Sequence, residues 1–242
     1  MIGVRLLFAS TVLALLMLTG FLTNAKAQGV EFGITGGMNI SSHANAFKYA
    51  EGDIDLNLNS QVVAGYQGGV ILRANFSRIV RLQAEPSLIQ LGAIYDENFT
   101  LRGFNLHTNS KTELLYLQMP LVFQLSTRPR NRTVYGRKTA STTFHLTGGV
   151  YGGYLLDARF RGTNTGAPIG VTFEGDFSTD VTSQYDEYDG GIVFGIGFEH
   201  GQNSTVGFET RAQYAILDSG NAPELSFEPH NAAVTFSVYL LF

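Results

Sequence analysis

The stretch that decides the fold is NAAVTFSVYLLF, Asn231 to Phe242. In an extended strand successive side chains point to opposite faces. Ala232, Val234, Phe236, Val238, Leu240 and Phe242 therefore share one face, and Ala233, Thr235, Ser237, Tyr239 and Leu241 share the other. A terminus frayed in water is ordinarily polar. This one carries an unbroken apolar face up to an aromatic last residue.

The same design recurs upstream. Val30, Phe32, Ile34, Met38 and Ile40 alternate with Glu31, Gly33, Thr35, Gly37 and Asn39. Val62, Ala64, Tyr66, Val70 and Leu72 oppose Val63, Gly65, Gln67, Gly69, Ile71 and Arg73. Val80, Leu82, Ala84, Pro86 and Leu88 oppose Arg81, Gln83, Glu85 and Ser87 in a segment reaching about residue 95. Leu115, Leu117, Met119, Leu121, Phe123 and Leu125 oppose Tyr116, Gln118, Pro120 and Gln124. Phe144, Leu146, Val150, Tyr154 and Leu156 oppose His145, Thr147, Gly149 and Gly153. Ile192, Phe194, Ile196 and Phe198 oppose Gly195, Gly197 and Glu199; Val206, Phe208, Ala212, Tyr214 and Ile216 oppose Gly207, Glu209, Arg211 and Gln213. With the terminal stretch this makes eight segments of period two.

Each segment sets a bulky apolar face against glycines, glutamines and charges. A soluble lipocalin-like barrel would turn the apolar face inward. A narrow transmembrane barrel does the reverse: small and polar residues fill the tight lumen and bulky ones meet lipid. The second arrangement explains both faces, so the sequence predicts an all-β fold, an eight-stranded antiparallel transmembrane β-barrel. Polar connections at 42–60, 96–111, 157–185 and 218–230 alternate with shorter ones at 74–79, 127–141 and 200–204. That alternation predicts long outer loops, short periplasmic turns and two periplasmic termini.

Ahead of the barrel, Arg5 precedes an apolar run, and TNAKAQ supplies small residues at Ala25 and Ala27. This order predicts a secretory signal peptide over 1–27, cleaved after Ala27, with the barrel domain over 28–242. The chain has no cysteine, which excludes a lipoprotein anchor, thiol chemistry and cysteine metal sites. A formal net charge of −4 argues against nucleic acid, which needs a basic stripe. No Trp is present, so an interfacial aromatic girdle would fall to Tyr66, Tyr116, Tyr151, Tyr154, Tyr214 and Tyr239.

Four groups of residues stand out. Arg73, Arg81, Glu85, Glu199, Glu209 and Arg211 are predicted to point into the lumen, where unpaired charge is costly and pairing is expected. They read as a structural plug, with an ion path or a catalytic carboxylate as the alternative. Arg128, Arg130, Arg132, Arg137 and Lys138 cluster in one predicted periplasmic turn, where they would meet anionic head groups, peptidoglycan or an envelope protein partner. Phe236, Val238, Leu240 and Phe242 resemble the C-terminal signal read by the outer-membrane assembly machinery. Asp176, Asp180, Asp186, Glu187 and Asp189 read as a solvated acidic loop with no EF-hand pattern. The histidines do not assemble a hydrolase motif: His145 lies near the periplasmic end, and His43, His107 and His230 lie in or near loops beside Ser41, Ser42 and Ser110. Neither cofactor nor metal is expected.

Leu82 to Glu97, LQAEPSLIQLGAIYDE, and Leu114 to Leu125, LLYLQMPLVFQL, resemble the small outer-membrane β-barrel family abundant in the Bacteroidetes, to which PorT-like proteins belong. The glycine-rich GYQGGVILR, Gly65 to Arg73, and TGGVYGGYLL, Thr147 to Leu156, resemble its other strands. The resemblance implies an outer-membrane barrel of a Gram-negative bacterium; it does not imply a biochemical activity. A secretion role would come by analogy with PorT alone. The expected protein is a monomer in outer-membrane lipid, non-enzymatic, acting as an envelope anchor, adhesin or component of an envelope complex. The alternatives are a narrow channel for ions or small solutes and a lipid-modifying enzyme.

Overall fold

In the computed structural model each alternating stretch is a strand. The structure describes residues 29–44, 47–51, 54–58, 60–101, 104–127, 133–134, 137–138, 140–166, 173–201, 204–219 and 229–242. The leader expected over 1–27 lies outside them. Eight strands form the wall: β1 Val30–His43, β2 Val63–Asn75, β3 in two pieces, Val80–Ala84 and Ser87–Leu101, β4 Phe104–Ser126, β5 Ser141–Gly166, β6 Tyr188–Gly201, β7 Thr205–Ala215 and β8 Asn231–Leu241.

Each strand pairs antiparallel with its sequence neighbour, and β8 returns to β1 with Gly33 opposite Leu241 and His43 opposite Asn231. The ring is closed. Closure removes the edge, so no wall strand presents an unpaired row of backbone groups to lipid. Pro86 explains the gap in β3. It has no N–H to give to the ladder, yet the register runs through unchanged, Leu72 opposite Ala84 and Gln67 opposite Ile89.

The alternation sorts the faces as expected. Phe32, Ile34, Val70, Phe123, Phe144, Phe194, Ile196 and Val238 point outward and are exposed. Asn39, Arg73, Gln83, Gln118, Gln124, Glu209 and Ser237 point inward and are buried. With eight strands the interior is only wide enough for its own side chains.

The strands run longer than the alternation suggested. β4 has 23 residues and β5 has 26, against the roughly 9–11 that cross a bilayer. The stretch read as a loop over 96–111 is mostly strand, with Leu101 opposite Phe104. Much of 157–185 is strand too: β5 continues to Gly166 and Phe173–Asp180 pairs back along it. Another hairpin, Phe47–Glu51 with Ile54–Leu58, occupies part of 42–60. These extensions lie at the end opposite the two described termini, called here the loop end; the other is the turn end.

One irregularity changes which residues face out. A β-bulge lies between Leu155 and Asp157. Below it the odd residues of β5, such as His145 and Tyr151, are buried; above it Ala158 is buried and Arg159 is exposed. One extra residue inverts the alternation.

Glycines let the lumen close. An added Cβ at inward-facing Gly207 would lie 2.1 Å from the Tyr239 ring, whereas one at outward Gly36 meets nothing nearer than 3.9 Å. Gly207→Ala is expected to destabilise the barrel by about 1–3 kcal/mol through overpacking, and Gly36→Ala to leave it unchanged. The check is the temperature at which the folded band on a detergent gel gives way to the unfolded one.

Candidate functional site

The six lumen charges form one body at the turn end. Glu199, from β6, sits at its centre. Its Oε2 lies 2.8 Å from Arg73 Nη1 and its Oε1 pairs with Arg81. Thr143 Oγ1 and Tyr239 OH donate to the same carboxylate at 3.1 and 3.2 Å. The Arg73 guanidinium also rests over the Tyr239 ring, 5.5 Å from its centroid, a favourable place for a cation.

A second centre forms around Arg211, from β7. It reaches Glu85 at 2.7 Å and Glu209 at 2.8 Å. Thr147 donates to Glu209, and His145 Nε2 lies 3.8 Å from it. Gln83 joins the two centres: its Oε1 accepts from Arg73 Nε at 2.9 Å, and its Nε2 donates to Glu85 at 3.1 Å. Gln83 was legible as an inward residue but not as the connector, which depends on side-chain reach. Three guanidinium groups face three carboxylates. Buried charge persists when paired and hydrogen-bonded.

The loop end of the lumen is different. Ile89, Leu91, Leu114, Tyr116, Leu155, Ala158, Val181, Tyr185 and Ala233 pack into an apolar cluster. Val181 and Tyr185 come from beyond the wall, where the chain turns back over the mouth through a short 3-10 turn, Thr182–Gln184. Val181 N donates to Ala158 O at 3.0 Å, and Leu155 N to Glu187 O at 2.8 Å. Asp180 Oδ1 accepts from Thr182 N at 2.9 Å and Thr182 Oγ1 at 2.7 Å, which holds its carboxyl below the usual range.

A polar layer lies against this plug. Asn231 Nδ2 is 3.0 Å from Ser219 Oγ, 3.2 Å from Asp189 Oδ2 and 3.3 Å from Tyr116 OH. His43 Nδ1 is 2.6 Å from Tyr95 OH.

Several expectations need correction. The lumen is not polar throughout; its loop end is apolar. Asp189 is buried, not part of a solvated acidic loop, while Asp176 accepts from Thr163 and Asp180 from Thr182. Among the described residues no three acids or histidines gather as metal ligands. His43 is buried at the end of β1, not in a loop. Tyr116, Tyr151 and Tyr239 are inside and cannot belong to a girdle, which leaves Tyr66, Tyr154 and Tyr214 outside. Position parity outweighs the amphipathic preference of tyrosine, and the inner hydroxyls of Tyr116 and Tyr239 find partners.

Phe236, Val238 and Phe242 face outward and are exposed, with Leu240 on the same side at partial exposure. Phe242 N donates to Phe32 O at 2.8 Å. In the basic turn, Arg128, Arg130 and Arg132 lie outside the described residues. Arg137 and Lys138 pair with Val134 and Thr133 in a two-residue ladder.

Residues 24–220 match the family described as "Outer membrane protein beta-barrel domain". The chain belongs to this family. It is an outer-membrane β-barrel protein. Similar solved structures include Ail, the attachment invasion locus protein of Yersinia pestis, at 12% identity and TM-score 0.31, covering 88% of this chain and 98% of that one. Neisserial surface protein A is similar at 8% identity and TM-score 0.40, with 88% and 99% covered. OprG of Pseudomonas aeruginosa is similar at 13% and 0.34, with 87% and 92% covered. No curated protein matches the sequence.

Glu199→Ala strands two arginines and is expected to cost about 3–5 kcal/mol. Glu31→Ala is expected to cost at most about 1 kcal/mol, because Glu31 reaches Arg73 only at 3.5 Å and is 39% exposed. Urea unfolding in a fixed detergent, followed by tyrosine fluorescence, reads both.

Proposed function

We propose that this outer-membrane barrel is non-enzymatic, conducts no solute, and acts through what it carries at its two ends, as an anchor, adhesin or component of an envelope complex. The observation that carries the reading is the filled lumen. Two ion-pair centres whose charges offset each other occupy the turn end, and the apolar cluster with Val181 and Tyr185 occupies the loop end. An ion entering from either side would have to break buried pairs or cross an apolar plug, and both are costly. The wall strands meanwhile extend well past a bilayer's need at one end only, through β4 and β5. Chain spent there serves contact outside the membrane.

In this reading the protein is a monomer, exported with cleavage after Ala27, and its outward row Phe236, Val238, Leu240 and Phe242 is what the assembly machinery reads. The basic turn, Arg128, Arg130, Arg132, Arg137 and Lys138, is the periplasmic contact for an envelope protein. The resemblance to PorT-like barrels of the Bacteroidetes supports the complex-component form of the proposal.

Three measurements test it. In planar bilayers the purified protein is expected to give no discrete openings; steady conductance would favour the channel reading instead. Crosslinking in intact cells with a loop-end tag should recover an envelope protein, and neutralising the five basic residues should abolish its recovery. A cysteine-free chain also allows clean topology mapping. Ser178→Cys should react with an impermeant maleimide in intact cells and Arg78→Cys should not; the opposite pattern would invert the barrel.

A further inference from the structure

We infer that the outer wall of β4 and β5, just above the lipid-facing band, is a binding site for the phosphate of a phosphorylated glycolipid in the surrounding leaflet. The bulge between Leu155 and Asp157 creates it. Had the alternation run unbroken through Leu155–Asp157, Arg159 and Arg161 would point into the lumen. With the bulge they stand outward beside Lys111 and Glu113: Arg159 lies opposite Glu113, and Arg161 opposite Lys111.

The patch is placed where an amphiphile changes from chain to head group. Two pairs below Glu113 and Arg159 comes Leu115 opposite Asp157, and two pairs below that Leu117 opposite Tyr154. Leu117, Tyr154 and Leu156 are exposed apolar side chains. A shallow depression of about 180 Å3 marks the boundary, with Tyr66, Gln90 and Leu115 beside the charges. Acyl chains would lie on the leucines and the phosphate would reach the cations.

The cations keep donors for a ligand. Arg159 gives Nε to Asp157 at 2.9 Å, Arg161 approaches Glu113 only at 3.7 Å through Nη1, and Lys111 lies 2.8 Å from Glu113. Their side chains are 51%, 48% and 36% exposed. A guanidinium has five N–H donors, so both arginines retain a free edge suited to bidentate phosphate. Asp180 lies opposite Arg159 on its other side, so three cations stand among three carboxylates, Asp157, Glu113 and Asp180, and a phosphate would be held by the free guanidinium edges rather than by net charge. Its position is also selective. The other arginines with described side chains are Arg73, Arg81 and Arg211 in the lumen and Arg78 in the turn at the opposite end.

The inference rests on the loop end facing the outer leaflet, where phosphorylated glycolipid lies. Its test does not, because binding is measured in detergent with both faces accessible. The refolded full chain is titrated with lipid A and with chemically dephosphorylated lipid A, and adducts are counted by native mass spectrometry. Lipid A should bind at least about tenfold tighter than the dephosphorylated form. Arg159→Gln with Arg161→Gln should remove about that tenfold preference, while Arg78→Gln keeps it. The gel shift on heating verifies that each variant is folded. Equal binding of the two lipids, or an undiminished preference in the double variant, overturns the inference. Inorganic phosphate binding as tightly as lipid A would assign the site to the free anion and overturn the glycolipid assignment.

Discussion

Everything in this molecule depends on one hydrogen-bonding constraint. In the hydrocarbon of a bilayer no water is present to satisfy a backbone N–H or C=O, so a spanning sheet has to close on itself. The contact between β1 and β8, from Gly33–Leu241 to His43–Asn231, is where that condition is met. Closure with eight strands fixes a narrow circumference, and a narrow circumference fixes a lumen with room for side chains and little else. Inward glycines follow from the same limit, as Gly207 under the Tyr239 ring illustrates.

Filling such a lumen raises an electrostatic problem, because a sealed interior does not tolerate loose charge. The turn end solves it by neutrality. Glu199 holds Arg73 and Arg81, Arg211 holds Glu85 and Glu209, and Gln83 ties the centres together. The pairs Arg73–Glu199, Arg81–Glu199 and Arg211–Glu85 join strands far apart in sequence, so they form only when the ring is complete. They therefore favour the correctly closed barrel over partly paired sheets, whichever sign their net contribution to stability takes. The loop end solves the problem by carrying no charge at all in its apolar cluster.

The wall was legible in the sequence because lipid and lumen impose opposite demands on alternate residues, and that period survives in residues such as Phe32, Ile34 and Val70. The inward direction of the six charges was legible for the same reason. Their partners were not, since parity gives a face and no height along the axis. The apolar plug escaped because Ile89 and Leu91 look like any strand residues, and because Val181 and Tyr185 reach the lumen from a connection. The burial of His43 and Asp189 escaped because both lie just where the alternation fades into extended strand. The bulge at Leu155–Asp157 left no mark in composition; the only trace is that unshifted parity would bury Arg159 and Arg161 unpaired.

That trace joins the wall to the function. A strand continuing straight past Leu156 would have added two guanidinium groups to a lumen whose turn-end centres already balance at three against three, and would have set them beside Ile89, Leu91 and Leu114. An apolar plug and two inward arginines exclude each other on desolvation grounds. One inserted residue resolves the conflict, keeping Ala158 and Phe160 against the plug and sending the arginines to the wall. The apolar filling of the lumen's loop end and the arginine patch on the β4–β5 face are thus two results of one bulge. A barrel that has given up its interior to packing has, by the same step, carried two guanidinium groups to its exterior.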